Sequence, residues 1–375
     1  NIIFLYVFFY NYAIIFEFVF QSFYRTKFVT LINLIFKLLL LIVVFVILFI
    51  YRLGVYDVLL SYGIAYFFIT VLFFVKVKEY LTQYPQKVAI IEIVKSGFSV
   101  WLIKIINYFL GRYLDILLMS FYLIAKEQIG CYNIAFTLVM ALSYIVTSGL
   151  GGLGLSTFSE LESKNNTFAI VQAWRKILKA FLVFLIPLFI FFIVKAAAII
   201  KLLLSVEYEQ SIILFQVFGT LYFLSMLLGS GLNSTVLYSL KREKLVLCYR
   251  ISIGIINLIL DILLIPKYGA LGAMIATGCS TVLVISVEYF NIKNLLKFSY
   301  PLKFVLKLLA ASIVSMVIVS MIKNDTIINL IISVITFCLM YLIFTTLLKV
   351  PVFQYIRIYL MPLITRTERQ ANSLS

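Results

Sequence analysis

Residues 176–196 read KILKAFLVFLIPLFIFFIVKA, and no residue between Lys179 and Lys195 carries a charge. About 20 mainly apolar residues are enough for a helix to cross the hydrocarbon core of a bilayer. One such run fits inside a large soluble domain, but here they recur throughout the 375 residues. We read eleven spans: 1–22, 29–50, 56–75, 94–118, 129–152, 176–196, 210–231, 246–265, 268–290, 303–321 and 327–348. These runs are about twice the length of a membrane barrel strand and lack its alternation of polar and apolar residues, so they predict helices. Pro85, Pro266, Pro301, Pro351 and Pro362 fall at or outside the expected helix ends, where a missing amide hydrogen is tolerated. Pro187 alone lies inside a span, where a kink is expected.

Composition agrees. Hydrophobic residues make up 64% of the chain and charged residues 12%, against roughly 25% charged in an ordinary soluble domain. There is no histidine, which excludes a Ser-His-Asp relay, an HExxH zinc site and a histidine-ligated haem. Cys131, Cys248, Cys279 and Cys338 are far apart and form no CxxC pair, so neither a thiolate metal site nor a disulfide framework is indicated. No GxxxxGK[ST] phosphate loop is present, and the loops are too short for a nucleotide-binding domain. The composition therefore points to a transporter rather than an enzyme, with no cofactor.

The basic residues alternate from one connection to the next. One set of connections holds Arg25 and Lys27; Lys76, Lys78 and Lys87; Lys164, Arg175, Lys176 and Lys179; Lys241, Arg242 and Lys244; Lys293, Lys297, Lys303 and Lys307; and Lys349, Arg357, Arg366 and Arg369. The intervening connections hold one each: Arg52, Lys126, Lys201, Lys267 and Lys323. Cytoplasmic loops retain Lys and Arg, so the visible N-terminus is expected outside and the C-terminus in the cytoplasm of a multi-pass bacterial inner-membrane protein. The net charge of +16 then maps one membrane face, with anionic lipid headgroups as partner and no nucleic acid. The chain starts at Asn1, already within an apolar run and without a basic leader. An odd number of spans upstream would restore a cytoplasmic start.

Ionisable groups within apolar spans are costly unless they face protein or water, and so come first as functional candidates. They are Glu17, Lys37, Lys104, Arg112, Asp115 and Asp261. Lys104 and Arg112 are eight residues apart, about 2.2 turns, and share a helix face. Asp115 is three residues beyond Arg112, within reach of a same-helix ion pair. We expect a hydrated cavity in which Lys37, Lys104 and Arg112 attract an anionic substrate. Asp115 orients or restrains the bases; the alternatives for Asp115 and Asp261 are to cap neighbouring helices or to coordinate a coupling cation. The runs Ser148 to Gly154 and Gly229 to Asn233 loosen span ends, by close packing or as a hinge.

Ile265-Pro266-Lys267-Tyr268-Gly269-Ala270-Leu271-Gly272-Ala273-Met274-Ile275-Ala276-Thr277 goes beyond hydropathy. Pro266 is expected to stop one helix and Gly269 to permit a tight turn, while Gly272, Ala273 and Ala276 leave a slim packing face. With Asp115, the Gly130-Cys131-Tyr132-Asn133-Ile134-Ala135 segment and the stretch from Asn257 to Asp261, this resembles bacterial polysaccharide biosynthesis proteins. The similarity is to Wzx-type O-antigen flippases of the multidrug/oligosaccharidyl-lipid/polysaccharide exporter superfamily. The resemblance implies an all-α, two-lobed, MATE-like transporter of fourteen helices, of which the eleven spans match the fourth to fourteenth, leaving the first lobe incomplete. Residues 1–88 would be the remainder of that lobe and a linker, 89–292 the second six-helix lobe, and 293–375 the additional pair and tail. It also implies alternating access, with an undecaprenyl diphosphate-linked oligosaccharide for O-antigen or capsule as cargo. A proton or sodium gradient would drive it, and a polysaccharide polymerase or chain-length regulator would be a partner. A cation-coupled multidrug exporter and a peptidoglycan lipid-precursor flippase are the alternatives.

The sidedness has a direct check. A C-terminal reporter that is active only outside the membrane should stay silent, and activity there would overturn the orientation.

Overall fold

The computed structural model describes residues 2–22, 26–47, 54–81, 102, 111–147, 151–164, 166–204, 206–322 and 326–355. All regular structure among them is helical. The helices are α1 (Ile2–Ser22), α2 (Thr26–Phe45), α3 (Val55–Leu81), α4 (Arg112–Phe121), α5 (Lys126–Thr147), α6 (Gly151–Ser163) and α7 (Thr167–Val194), followed by α8 (Ala196–Leu203), α9 (Ser211–Leu227), α10 (Leu232–Ser239), α11 (Glu243–Tyr268), α12 (Ala270–Leu296), α13 (Leu302–Ser320) and α14 (Ile327–Leu347). Among the described residues, eight helical segments are long and apolar enough to cross a membrane. The protein is a multi-pass membrane protein. Of the expected span 94–118, only residue 102 and the part from Gly111 onward lie among the described residues.

The chain divides into two compact units, Asn1–Ile90 and Ile91–Ser375. In the first, α1 lies along α3 around Ala13, Phe20, Ile69, Phe73 and Val77. Aromatic edges meet faces across this seam, as in Tyr10 and Tyr66 at 5.1 Å. Thr70 donates to the Phe9 carbonyl at 2.9 Å, and Asn33 of α2 donates to Glu17 of α1 at 2.9 Å. Lys37 is exposed on α2.

The second unit packs α5, α7, α9 and α12 around Tyr132, Trp174, Phe189 and Phe218, all fully buried. Opposite faces stay apolar and exposed: Ile251, Ile255 and Ile259 form a stripe along α11, and Ile328, Ile331, Ile335 and Leu339 another along α14. The spacing is helical, and such faces suit lipid rather than water.

Several boundaries differ from the sequence reading. The helix that covers most of the expected span 176–196 runs from Thr167 to Val194, capped by Asn166, whose side chain accepts from the Ala169 amide at 2.9 Å. Arg175, Lys176 and Lys179 therefore sit on helix rather than in a connection. The expected span 210–231 breaks where Gly229 and Gly231 take φ of +90° and +79°, and resumes as α10. Asn233 locks the break: its amide donates to the Leu228 carbonyl at 2.8 Å and accepts from Trp174 Nε1 at 3.2 Å. Pro266 does not stop its helix, which continues to Tyr268. The stop belongs to Gly269, with φ +57°. Three residues on, a Cβ on Gly272 would meet the Leu264 carbonyl oxygen at 2.4 Å, so α11 and α12 approach backbone to backbone.

Pro187 does interrupt the ladder of α7, because it has no amide hydrogen for the carbonyl of Val183. Tyr341 of α14 supplies the missing donor, its hydroxyl bonding Val183 O at 2.8 Å. A carbonyl left bare in an apolar interior would be destabilising, and neighbouring helices in membranes remove that penalty in this way. Tyr341→Phe should lower stability by on the order of 1 kcal/mol, and Pro187→Ala should suppress most of that loss by restoring the amide. Thermal melting of the two single variants and the double variant in detergent checks this; additive losses would sink the pairing.

Candidate functional site

Three of the sequence-nominated residues, Arg112, Asp115 and Asp261, meet in the second unit, on α4 and α11. Lys37 belongs to the first unit, and Lys104 lies outside the described residues. Arg112 opens α4, and Asp115 sits one turn further on. They do not pair with each other. Arg112 donates through Nε and Nη2 to Asn133 Oδ1 at 3.0 and 2.7 Å, and its guanidinium lies 5.3 Å from the centre of the Phe136 ring. Asp115 points away into the protein, where it is fully buried.

Asp115 Oδ2 accepts from the Tyr132 hydroxyl of α5 and from Thr277 Oγ1 of α12 at 2.6 Å. Asp261, also fully buried, accepts through Oδ2 from Asn257 Nδ2 at 2.9 Å, one turn back on α11. The two carboxyl groups face each other within hydrogen-bonding reach. No donor reaches Oδ1 of either among the described residues. The ion pairs among those residues are elsewhere: Lys164–Glu160, Lys201–Glu209 and Arg250–Glu288. Two carboxylates in contact in a medium of low dielectric repel strongly, and a shared proton or a cation between them relieves the repulsion. No cluster of three or more His, Cys, Asp or Glu occurs among the described residues. The oxygen set of Asp115, Asp261, Asn257 and Thr277 suits a proton or a hard monovalent cation rather than a transition metal.

Beside this pair lies a cavity of about 600 Å³. Asn257 and Thr277, which bond the carboxylates, also line its wall. Among the described residues its charged lining is Arg112 and Arg250, with no carboxylate. Tyr222, Ser280 and Thr281 add hydroxyls, and Phe136 and Phe218 add aromatic surface. A chamber with two guanidinium groups, hydroxyl donors and aromatic faces suits an anion attached to a polar or sugar-like body.

Sequence reasoning missed Arg250 and Glu288. Arg250 lies about two turns after the start of α11 and Glu288 about two turns before the end of α12. The antiparallel packing of these helices brings Arg250 Nη2 to 2.8 Å from Glu288 Oε1, with Glu288 fully buried. Only that pairing turns two unremarkable residues into a cavity element.

With this geometry in view, the comparisons narrow the class. Residues 1–213 match the model of a family described as polysaccharide biosynthesis protein. The chain belongs to that family. Its fold is similar to that of a solved structure, the lipid II flippase MurJ in its inward closed conformation. The TM-score is 0.70 at 17% sequence identity, over 92% of this chain and 72% of that one. The fold is therefore similar to that of a polytopic, all-α membrane protein. No curated protein gives a significant match.

Tyr132→Phe and Thr277→Val each remove one donor from Asp115. Each should destabilise the protein by about 1–3 kcal/mol while the carboxyl stays ionised, and Asp115→Ala, which removes the acceptor, should abolish the sensitivity to Thr277→Val. Melting curves of the single and paired variants check this.

Proposed function

We propose that the protein moves an anionic, lipid-linked oligosaccharide across the membrane by alternating access, as a flippase for surface polysaccharide. The preferred cargo is an undecaprenyl diphosphate-linked repeat unit for O-antigen or capsule. The observation that carries the reading is the cavity whose charged lining, among the described residues, is Arg112 and Arg250, with no carboxylate. The guanidinium groups offset diphosphate charge, and the hydroxyls and aromatic rings accommodate the glycan. No bond is made or broken. Organic cations, the cargo of a multidrug exporter, would meet the wrong sign of charge there.

A peptidoglycan lipid precursor is the second reading, favoured by the likeness to a lipid II flippase. Its diphosphate meets the same cavity; the family described as polysaccharide biosynthesis protein tips the choice. In this scheme 1–88, with Lys37, belong to a first lobe, 89–292, with Lys104, form the second lobe, and 293–375 add a helix pair and a cytoplasmic tail. Asp115 and Asp261, with Asn257 and Thr277, take the coupling proton or sodium ion as co-substrate. Because Asn257 and Thr277 belong to both the ion site and the cavity wall, ion occupancy and substrate occupancy touch the same side chains.

Translocation of a fluorescent undecaprenyl diphosphate oligosaccharide should be measured with the native protein in proteoliposomes under an imposed proton or sodium gradient. Arg112→Gln should reduce the rate at least about tenfold, the scale of one lost charge-assisted hydrogen bond. Asp115→Asn and Asp261→Asn should remove the dependence on the gradient. Failure of the energised, correctly folded protein to move any diphosphate-linked glycan would overturn the function.

A further inference from the structure

The cavity's two guanidinium groups are held differently. Arg112 is oriented by the neutral amide of Asn133 and the Phe136 ring, so its positive charge stands open to a ligand. Arg250 is already engaged by an anion, Glu288, at 2.8 Å. Glu288 is fully buried, and no donor among the described residues reaches its second oxygen, Oε2. Its ionised form therefore rests on Arg250. A carboxylate in an apolar setting that loses its one counter-charge is strongly destabilised until it takes a proton.

We propose that Glu288 is an internal competitor for the anionic substrate, giving Arg250 up to the ligand and taking up one proton from cavity water as it does so. This rests on the anion-cavity reading above and adds to it a proton-linked step separate from the Asp115–Asp261 pair. On α11, Asp261 is 11 residues from Arg250, about 16 Å along the axis. The exchange balances: the Arg250–carboxylate contact breaks, an Arg250–anion contact forms, and the freed Glu288 is neutralised by one proton. In the substrate-free state the cavity then presents one standing positive charge and one that appears only when an anion displaces Glu288.

Glu288 is the one carboxyl among the titratable groups that the described residues bring to the pair. Tyr249 of α11 and Tyr238 of α10 lie within electrostatic reach of Glu288, Tyr222 of α9 lies within reach of Arg250, and Arg112 of α4 faces the same cavity. Phenols and guanidinium groups do not change charge between pH 6 and 8. The sign is fixed. At high pH ionised Glu288 holds Arg250 and opposes the ligand; as pH falls Glu288 is neutralised, Arg250 is released, and affinity rises.

The probe is farnesyl diphosphate, a soluble isoprenoid diphosphate, titrated calorimetrically into the purified full chain in buffers of different ionisation enthalpy. Wild type should take up about one more proton per bound ligand than Glu288→Gln at pH 7, a subtraction that cancels the ligand's own titration. The affinity advantage of Glu288→Gln should grow by up to about tenfold per pH unit between pH 6 and 8. Equal proton uptake, or weaker binding by Glu288→Gln at every pH, overturns the competitor role. Should Glu288→Gln not remain monodisperse, the uncharged pair Arg250→Gln/Glu288→Gln replaces it; weaker binding without the extra proton supports the proposal, and undiminished uptake overturns it. If Arg112→Gln weakens binding while the Glu288 variants match wild type, the anion cavity stands and the competitor falls. If wild type binds no diphosphate, both fall.

Discussion

A carbonyl or carboxylate inside a bilayer has no water to turn to, so every polar group that the chain carries into the apolar region must find its partner within the protein. Most of the backbone meets this by being helical. The exceptions organise the second unit. Pro187 strips one hydrogen bond from α7 and Tyr341 of α14 returns it. Lys195, buried just past the end of α7, donates to the carbonyls of Val319 and Ile322 where α13 finishes. Asn233 joins the broken turn between α9 and α10 to Trp174 of α7. Each is a polar bond between elements distant in sequence, made where packing of one apolar surface on another would leave the partners undetermined.

The same constraint concentrates chemistry. Asp115 is stabilised by Tyr132 and Thr277 from neighbouring helices and Asp261 by Asn257 of its own helix, yet Oδ1 of each has no donor among the described residues. Arg250 and Glu288 solve the problem by pairing, Arg112 by leaning on an amide and a ring. Among the described residues the cavity thus has its carboxylates behind the wall and its guanidinium groups on it. This separation of sign suits an anion, although three acids, Asp115, Asp261 and Glu288, stand close to the two arginines.

Much of this was legible beforehand. The apolar runs and the alternation of Lys and Arg specify a polytopic helical protein, because hydrocarbon thickness and cytoplasmic retention act on composition alone. Asp115, Asp261 and Arg112 stood out as charges in apolar surroundings, and all three reach the site. Arg250 and Glu288 did not stand out, since residues about two turns from a helix end can reach water unless a neighbouring helix covers them. The spacing of Arg112 and Asp115 suggested an ion pair; the helix instead turns Asp115 inward to donors more than a hundred positions apart along the chain, Tyr132 and Thr277.

By itself, the sequence determined the environment, the helical class and the sign of the cavity's principal charge, because hydropathy and ionisation are properties of single residues and short runs. Which helix ends at Gly269 rather than Pro266, which hydroxyl repairs the proline, which carboxylates face each other and which arginine is held by a buried acid were decided only by tertiary structure. These depend on distances between α4, α5, α7, α11, α12 and α14 that no local pattern encodes, and in a membrane those distances decide whether a polar group is a liability or a working part of the protein.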